Sequence, residues 1–421
     1  MRLSLVALVC HLTNTHAINT HTHTHKHATP TRHNTHKTLA NQHTGFKRST
    51  LTMMALDGAA KADDPLAAAK NWFDSILTSA STAATAATKS RRTAIITGAS
   101  SGLGKQATRA LAESGNWHVV MACRSTDKAQ AVADELGLDP ASYSVMELDL
   151  ANLNGVRSFA EKFLASGRPL DCLCCNAAVY LPNQPEPSFT VDGYEESMQV
   201  NHLGHFLLVN LLLDHVAKSV LKRVVVVGSV TGNTNTLAGG FVWPRAELGK
   251  LQGFDQGFKN IPMADGKEFN GAKAYKDAKL CNMLTVNELH RRYHESKGVT
   301  FSSLYPGCIA DTELFRQKRQ WFRVWFPAFQ KYVIGGYVSE AEAGDRLATV
   351  CASEECSKSG VYWSWNGKAQ GVGLLTGEAG FKPSGAGGSG GSLFEGELSS
   401  TASDVELGRR VWEYSEDLVG L

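Results

Sequence analysis

Short, continuous apolar runs alternate with amphipathic helical segments from Arg91 onward. Continuous apolar runs predict strands that are buried on both faces, and their alternation with helices predicts a parallel sheet with helices on both sides. We therefore expect an α/β fold: a single domain built on a doubly wound parallel sheet. The seven predicted strands are Thr93–Thr97, Trp117–Arg124, Tyr143–Leu150, Leu170–Ala178, Arg223–Val230, Val299–Tyr305 and Gly360–Trp365.

The first 90 residues differ in composition from the rest of the chain. An apolar run follows Arg2, nine histidines lie among threonines between positions 11 and 43, and the first acidic residue is Asp57. A basic, hydroxyl-rich and acid-free N-terminus is typical of an organelle transit peptide. We therefore predict that residues 1–90 form an organelle-targeting, low-complexity segment and linker, and that residues 91–421 form the domain. A translation start at Met53 or Met54 is the alternative.

Composition narrows the class of protein. The net charge is only +2 and the basic residues are spread along the chain, which argues against a nucleic-acid partner. No apolar run reaches the roughly 20 residues of a membrane span, which indicates a soluble or peripheral protein. The nine cysteines follow no disulfide or zinc spacing, so we predict a reducing compartment and no metal site.

A glycine-rich turn follows the first predicted strand and precedes a helix. Glycines let the backbone approach a pyrophosphate, and the start of the helix offers unpaired N–H groups and a partial positive charge. This context predicts a Rossmann-like dinucleotide site. The candidate cofactor contacts in the turn are Gly98, Ser100, Ser101, Gly102, Leu103 and Gly104.

The end of the second predicted strand indicates which nicotinamide cofactor binds. NAD sites usually place a carboxylate there, whereas this chain has Arg124, with Lys128 one turn further on. Two cations suit a 2′-phosphate, which favours NADPH. Other candidate cofactor contacts at strand ends are Asp149 and Leu150, beside the adenine, and Asn176 and Ala177, near the ribose and nicotinamide.

Tyr275 and Lys279 are four residues apart in a segment with helical periodicity. This spacing places both side chains on one helix face, where we expect the ammonium to lower the pKa of the phenol and make it a usable general acid. We expect Ser229, at the end of the fifth strand, and Asn201 to complete a hydrogen-bonded relay. The predicted catalytic residues and cofactor contacts therefore include both Tyr275 and Lys279.

These motifs together resemble the short-chain dehydrogenase/reductase family over Arg91–Trp365. Within it, longer strings are similar to the light-dependent protochlorophyllide reductases. They are Asn201-His-Leu-Gly-His-Phe-Leu-Leu, Ala274-Tyr-Lys-Asp-Ala-Lys-Leu-Cys-Asn-Met-Leu284, Leu304-Tyr-Pro-Gly-Cys-Ile-Ala-Asp-Thr312, Gly360-Val-Tyr-Trp-Ser-Trp365 and Leu418-Val-Gly-Leu421.

The resemblance implies a light-driven reduction of one carbon–carbon double bond of protochlorophyllide, with hydride from NADPH, in a plastid. It also implies that Cys308 is an active-site thiol and that Thr231 and Tyr305 line the pigment pocket. Either Tyr275 or Cys308 donates the proton, and the sequence does not choose between them. Where many relatives have a cysteine, this chain has Val209, so a catalytic thiol there is not expected.

Three further segments are predicted outside the regular pattern. An aromatic-rich insertion at about 231–272 and a lid at about 308–340 suit a large flat substrate, and a Gly/Ser-rich surface loop covers about 384–392. The basic and aromatic residues of the lid also suit peripheral contact with an anionic plastid membrane. An ordinary lid helix that packs its aromatic residues into the core is the alternative. Self-assembly of the chain is a further predicted interaction.

Two other functions remain open from the sequence. A dark NADPH-dependent short-chain reductase of retinoid-like or steroid-like carbonyls shares Tyr275 and Lys279 but needs neither Cys308 nor a long aromatic insertion. A cofactor-binding protein without turnover needs no proton relay.

Overall fold

The computed structural model describes residues 91–236, 239–240, 242–259, 261–309, 336–367 and 388–421. These residues form one eight-stranded sheet in the order β3-β2-β1-β4-β5-β6-β7-β8. The strands are β1 Arg92–Thr97, β2 Trp117–Cys123, β3 Tyr143–Glu147, β4 Cys172–Cys175, β5 Arg223–Val227, β6 Thr300–Leu304, β7 Val361–Trp365 and β8 Leu393–Gly396. All neighbouring pairs are parallel except β7 and β8.

Seven longer helices cover the sheet. They are α1 Gly102–Glu113, α2 Thr126–Glu135, α3 Leu153–Ala165, α4 Gly204–Val216, α5 Gly271–Leu289, α6 Glu340–Ala352 and α7 Val405–Val419. Short helical turns lie at Glu196–Met198, Gln199–Leu203, Val230–Gly232, Gln252–Asp255, His290–His294, Glu295–Lys297 and Glu354–Cys356. The turns Gln199–Leu203 and His290–His294 are π-helical.

The sheet is buried on both faces, as the continuous apolar runs predict. Ile95 of β1 lies in a core cluster with α3, α4, α5 and α7, whereas its neighbour Ile96 lies in a second cluster with α1, α2 and α6. Alternate residues of one strand therefore face opposite helix layers. The predicted α/β fold with a doubly wound, Rossmann-like sheet is confirmed.

The predicted strand count of seven is wrong by one. β8 pairs antiparallel with β7, from Tyr362 opposite Gly396 to Trp365 opposite Leu393. Its four residues include only two large apolar side chains, both half-buried, so no continuous apolar run marks the strand. Edge strands are exposed on one side and need no such run.

Part of the predicted Gly/Ser-rich loop, residues 388–392, leads directly into this edge strand. Residues 1–90, most of the predicted lid and positions 384–387 lie outside the described residues. Among the described helices, none combines the length and the apolar character that crossing a membrane requires.

Candidate active site

The turn between β1 and α1 has the backbone geometry that a dinucleotide site needs. Gly98 and Gly102 have positive φ angles of 68° and 50°. A Cβ on Gly104 would lie 2.4 Å from the carbonyl oxygen of Gly98 and 2.6 Å from Nδ2 of Asn176. Only glycine at position 104 therefore lets α1 approach the turn this closely.

Thr97 joins this turn to the end of β4. Its hydroxyl oxygen accepts hydrogen bonds from the backbone N–H groups of Asn176 and Ala177, each at 2.9 Å. The side-chain amide of Asn176 donates to the backbone oxygen of Thr97 at 2.8 Å. The predicted residues Asn176 and Ala177 therefore lie against the glycine turn, at the carboxyl ends of parallel strands, where open α/β sheets bind ligands.

The start of α1 is suited to a phosphate group. Ser101 is the N-cap, but its side chain caps no N–H group of the helix, and the first turn carries no acidic residue. The first N–H groups of a helix have no partner within it, so they point toward an incoming anion. Ser100 hydrogen-bonds to the buried thiol of Cys123 at the end of β2, whose pKa is raised by burial. Leu103 is half-buried beneath the turn.

The two predicted cations lie where β2 ends. Arg124 and Lys128 are both exposed, and Ser125 between them caps α2 by accepting from the N–H of Lys128. The end of β3 is more closed. Asp149 accepts from the backbone N–H of Ala151 at 3.0 Å, and Leu150 is buried.

The donor chemistry therefore fits NADPH. Helix N–H groups and glycines can hold the pyrophosphate, while two exposed cations can meet a 2′-phosphate. No carboxylate occupies the position after β2 that an NAD site would use.

Tyr275, from α5, lies beside the turn that follows β5. Its hydroxyl hydrogen-bonds with Ser229, and the hydroxyl of Ser229 is also 2.9 Å from that of Thr231. The ring of Tyr275 lies 4.9 Å from the ring of Tyr180, measured between centroids. The structure therefore brings the predicted residues Tyr275, Ser229 and Thr231 together.

The predicted effect of Lys279 on the pKa of Tyr275 is not seen. The ammonium lies 5.8 Å from the centre of the tyrosine ring and donates at 2.7 Å to the backbone oxygen of Val227. Burial raises the pKa of Tyr275 above its ordinary value, although the bond with Ser229 opposes this. Burial also lowers the pKa of Lys279 to about 8. Desolvation, which disfavours charge on either group, is the largest cause of both shifts.

Asn201 lies in the π-helical turn that precedes α4, and it is fully buried. Its side-chain amide pairs with Val179, accepting from the backbone N–H at 2.8 Å and donating to the carbonyl oxygen at 3.0 Å. Both hydrogen-bonding ends of the side chain are thus used by the segment after β4. These two bonds hold Val179, and with it the segment after β4, in place. π-turns of this kind are frequent at functional sites.

Cys308 and Tyr305 follow β6. Cys308 is half-buried and pairs through its backbone with Tyr337 in an isolated bridge. Tyr305 lies within electrostatic range of Cys308, Tyr362 and Tyr275, and burial raises its pKa well above the ordinary value. Tyr305 and Cys308 therefore follow the strand next to β5, and Tyr305 lies near Tyr275.

Comparison with known proteins identifies the family. A sequence profile for the short chain dehydrogenases matches residues 92–241. Over 332 residues, the chain is 55% identical to protochlorophyllide reductase, chloroplastic, from Daucus carota, covering 78% of each chain. It is 53% identical to protochlorophyllide reductase A, chloroplastic, from Arabidopsis thaliana, covering 78% of this chain and 76% of that protein. The chain belongs to the protochlorophyllide reductase family.

The chain is also similar to solved structures of lower identity. One is a short-chain type dehydrogenase/reductase from Mycobacterium marinum, with 17% identity and a TM-score of 0.48, covering 65% of this chain and 93% of its own.

In this member of the protochlorophyllide reductase family, sequence reasoning missed a buried arginine that organises the loop around Cys308. Arg346 donates to the carbonyl oxygen of Pro306 at 2.8 Å and to those of Gly388 and Gly390 at 2.8 and 2.9 Å. It also lies over the ring of Trp365 at 5.2 Å. Its place in an amphipathic helix, where arginine usually faces solvent, concealed this role.

Tyr362 of β7 and His205 of α4 were also missed. The ring of Tyr362 packs against Gly228, the residue before Ser229. A Cβ on Gly228 would lie only 3.0 Å from the ring. His205 bonds to Thr97 at 2.9 Å. Both residues occur in the family strings, but a strand tyrosine and a helix histidine carry no local signal of a site.

The aromatic insertion is only partly what the sequence predicts. Phe254 and Phe258 are buried in the core, where their rings contact each other, so these two aromatic residues of the insertion pack in the core. Trp243 is exposed, and Phe269 is half-buried. Phe241 and the lid aromatics lie outside the described residues.

Two buried lysines of α5 hold the insertion in place. Lys273 donates to the backbone oxygen of Glu247 at 2.6 Å, and Lys276 donates to those of Val242 and Pro244 at 2.8 and 2.7 Å. Lys273 and Lys276 therefore join the insertion to α5, the helix that carries Tyr275.

The three cysteines of β4 pack in the core. Cys172 and Cys174 of β4 face α6, where both hydrogen-bond to Cys351, while Cys175 faces the opposite core. Within the described part of the chain, no group of three or more His, Cys, Asp or Glu side chains is placed to hold a metal ion.

Proposed function

We propose that this chain catalyses the light-driven reduction of protochlorophyllide to chlorophyllide with NADPH, in a plastid. The observation that carries the proposal is the identity of 53–55% to chloroplastic protochlorophyllide reductases across the part of the chain that contains the site. The grouping of Tyr275, Ser229, Tyr305 and Cys308 at one sheet edge supports it.

NADPH, when bound, supplies the hydride. We assign the pyrophosphate to the turn between Gly98 and Gly104 and to the start of α1. The 2′-phosphate belongs with Arg124 and Lys128, and the adenine belongs beside Asp149 and Leu150. The backbone after β4, at Asn176 and Ala177, would hold the ribose and nicotinamide.

We assign the proton to Tyr275 or Cys308. An ordinary phenol is protonated at neutral pH, as a proton donor must be, and burial raises the pKa of Tyr275 further. Ser229 holds the phenolic oxygen, and Thr231 holds Ser229. Lys279 and Asn201 are assigned as supporting residues, because their hydrogen bonds fix the backbone on either side of the site.

Cys308 is the second candidate donor. An ordinary thiol is mostly protonated at neutral pH, so it can also deliver a proton. The pocket for the flat pigment is assigned to Thr231, Tyr305 and Cys308. A carbonyl reductase would need Tyr275 and Ser229 but not a thiol after β6.

The test is to mix the purified protein, NADPH and protochlorophyllide in darkness and then to apply a flash. We expect chlorophyllide absorbance only after the flash and only with NADPH present. Chlorophyllide formed in darkness, or none after the flash, would contradict the proposal. Reduction of retinoid or steroid carbonyls in darkness would instead support the dark reductase.

We also propose that the lid segment, at about 308–340, contacts an anionic plastid membrane and that the chain self-assembles. The support is the mixture of basic and aromatic residues in that segment. Flotation with vesicles of anionic and neutral plastid lipids tests the first proposal, and the mass in solution, with and without NADPH and pigment, tests the second. Equal binding to neutral vesicles, or a strictly monomeric mass, would contradict them.

A further inference from the structure

We propose that His205 is a positioning residue that joins the dinucleotide-binding turn, through Thr97, to the π-helical turn that contains Asn201. The inference rests on the proposed function, since it concerns the same site. His205 is fully buried in the first turn of α4, and each of its ring nitrogens has a partner.

The proton positions follow from Thr97. Its hydroxyl oxygen has two lone pairs, and both accept backbone N–H groups, from Asn176 and Ala177 at 2.9 Å. The single hydroxyl proton is left to bond with Nε2 of His205, 2.9 Å away. Thr97 is therefore the donor in this contact and Nε2 is the acceptor.

This donor assignment determines the tautomer of His205. A neutral imidazole with Nε2 as acceptor carries its proton on Nδ1. Nδ1 lies 3.3 Å from the backbone oxygen of Asn201, so it donates there. Burial lowers the pKa of His205 to about 3, which keeps the ring neutral over the physiological range.

The Asn201 carbonyl oxygen also accepts from Nδ2 of Asn282 in α5, at 2.9 Å. Two side chains thus contact this one carbonyl oxygen. The carbonyl is held from α4 by His205 and from α5 by Asn282, while the Asn201 side chain holds Val179. We infer that Asn201 acts as a fixed junction between the cofactor side and the catalytic helix, not as a carrier of protons.

A displaced His205 would therefore have two separable effects. At the Thr97 end, the loss frees the hydroxyl that holds Asn176 and Ala177, which weakens the cofactor site. At the Asn201 end, the loss frees the turn that α5 packs against, which affects the alignment of Tyr275. A histidine that merely fills the core would affect stability alone.

The tautomer can be measured without cofactor or light. Protein labelled with ¹⁵N-histidine is compared with His205→Asn protein to assign the ring signals by their loss. We expect a neutral Nδ1–H ring that does not titrate between pH 8 and pH 5. An Nε2–H ring, or titration near pH 6.5, would overturn the proposal.

Two variants separate the ends. Asn210, in the same helix, donates from its side chain to the carbonyl oxygen of Phe206 four residues earlier. The side chain in His205→Asn can donate to the carbonyl oxygen of Asn201 in the same way, but it loses the bond with Thr97. The side chain in His205→Leu loses both hydrogen bonds. Dark titrations give the Kd for NADPH and for pigment. Flash experiments at saturating NADPH give the reduction rate, and His215→Leu, at the far end of α4, is the control.

We expect both variants to raise the Kd for NADPH about tenfold while pigment affinity changes less than about twofold, since one lost hydrogen bond is worth about 1 kcal/mol or more. The reduction rate should fall about tenfold in His205→Leu and stay near wild type in His205→Asn. Folded His205→Leu protein with wild-type NADPH affinity and rate would overturn the proposal. If His205→Leu does not fold, His205→Asn and the tautomer decide. Wild-type protein that fails to bind NADPH or to respond to a flash would contradict the proposed function instead.

Discussion

The ammonium nitrogen of Lys279 lies 2.7 Å from the backbone oxygen of Val227, the last residue of β5. This bond joins the catalytic helix to the central sheet just before Ser229. It also places a cation in the core, at 2% exposure, with no carboxylate beside it among its described contacts. Burial of this charged group therefore lowers the stability of the folded protein.

Lys279→Met should therefore stabilise the cofactor-free protein at pH 7 while abolishing most activity. A pKa lowered to about 8 from the ordinary 10.5 corresponds to a penalty of about 3 kcal/mol, of which the lost bond to Val227 offsets about 1 kcal/mol. We expect a net gain of about 1–2 kcal/mol in the free energy of unfolding, measured in urea. Turnover after a flash should fall about 100-fold or more.

The pH dependence supplies the check. In the unfolded chain Lys279 binds its proton up to about pH 10.5, whereas in the folded chain it loses it near pH 8. The unfolded state therefore holds more protons between these values, and wild-type stability rises with pH across this window. The advantage of Lys279→Met should be full below pH 8 and should vanish by about pH 10.5. A constant difference would contradict burial as the cause.

Tyr275→Phe and Cys308→Ser, made separately, should show which of the two residues donates the proton. Removal of the donor should slow the proton step about 100-fold or more, while hydride transfer after the flash stays within about threefold. Low-temperature flash spectroscopy measures the two steps separately. Tyr180→Phe is the matched control, because its ring lies 4.9 Å from that of Tyr275. If neither variant slows the proton step, both residues lose the role.

The predicted architecture depended on signals that are local in the sequence. Continuous apolar runs marked β1, β2, β4, β5, β6 and β7 because these strands are buried on both faces, and the half-buried edge strand β3 was also recognised. The glycine turn was recognisable from Gly98 to Gly104. β8 escaped because an edge strand needs no apolar run.

The pKa shifts and hydrogen bonds of the site could not be predicted from the sequence, because the residues that form them are distant in the chain. Lys279 bonds a backbone atom 52 residues away, and Thr97 and His205 are 108 residues apart. The helical spacing of Tyr275 and Lys279 predicted their shared face correctly. It could not predict burial, which sets the direction of both pKa shifts.

Arg124→Ala and Lys128→Ala should weaken NADPH binding selectively. Each removes one exposed cation from the end of β2, so we expect the Kd for NADPH to rise about 10- to 100-fold, with the Kd for NADH changed less than about twofold. Arg409→Ala on α7 is the control, since Arg409 pairs only with Glu406 and Glu413 among its described ion pairs. Equal losses for NADPH and NADH would contradict the assignment of the 2′-phosphate.

Gly104→Ala should destabilise the cofactor turn, whereas Gly155→Ala should not. Both glycines are the third residue of a helix. A Cβ at position 104 would lie 2.4 Å from the Gly98 oxygen, but one at position 155 would meet nothing closer than 3.5 Å. We expect a loss of about 2 kcal/mol for Gly104→Ala and a gain of about 0.5 kcal/mol for Gly155→Ala. Urea unfolding measures both, and equal effects would contradict close packing as the reason for Gly104.

Lys273→Met should destabilise the protein far more than Lys267→Met, although both lysines pair with Asp265. Lys273 is buried and also contacts Asp277 at 2.6 Å, whereas Lys267 is 62% exposed. Loss of a buried partner leaves carboxylates uncompensated and costs about 3–5 kcal/mol, while an exposed pair contributes about 1 kcal/mol or less.

In the wild-type protein, Asp277 makes stability depend on pH with the opposite sign to Lys279. Burial raises the pKa of Asp277 to about 7, against the pull of Lys273. The folded state therefore holds more protons than the unfolded state between about pH 4 and pH 7, and stability falls as pH rises through that window. Without Lys273 the pKa of Asp277 rises further, so the loss should be larger at pH 8 than at pH 5. Unfolding in urea at both pH values checks this, and an equal loss at both would exclude Asp277 as the group left unpaired.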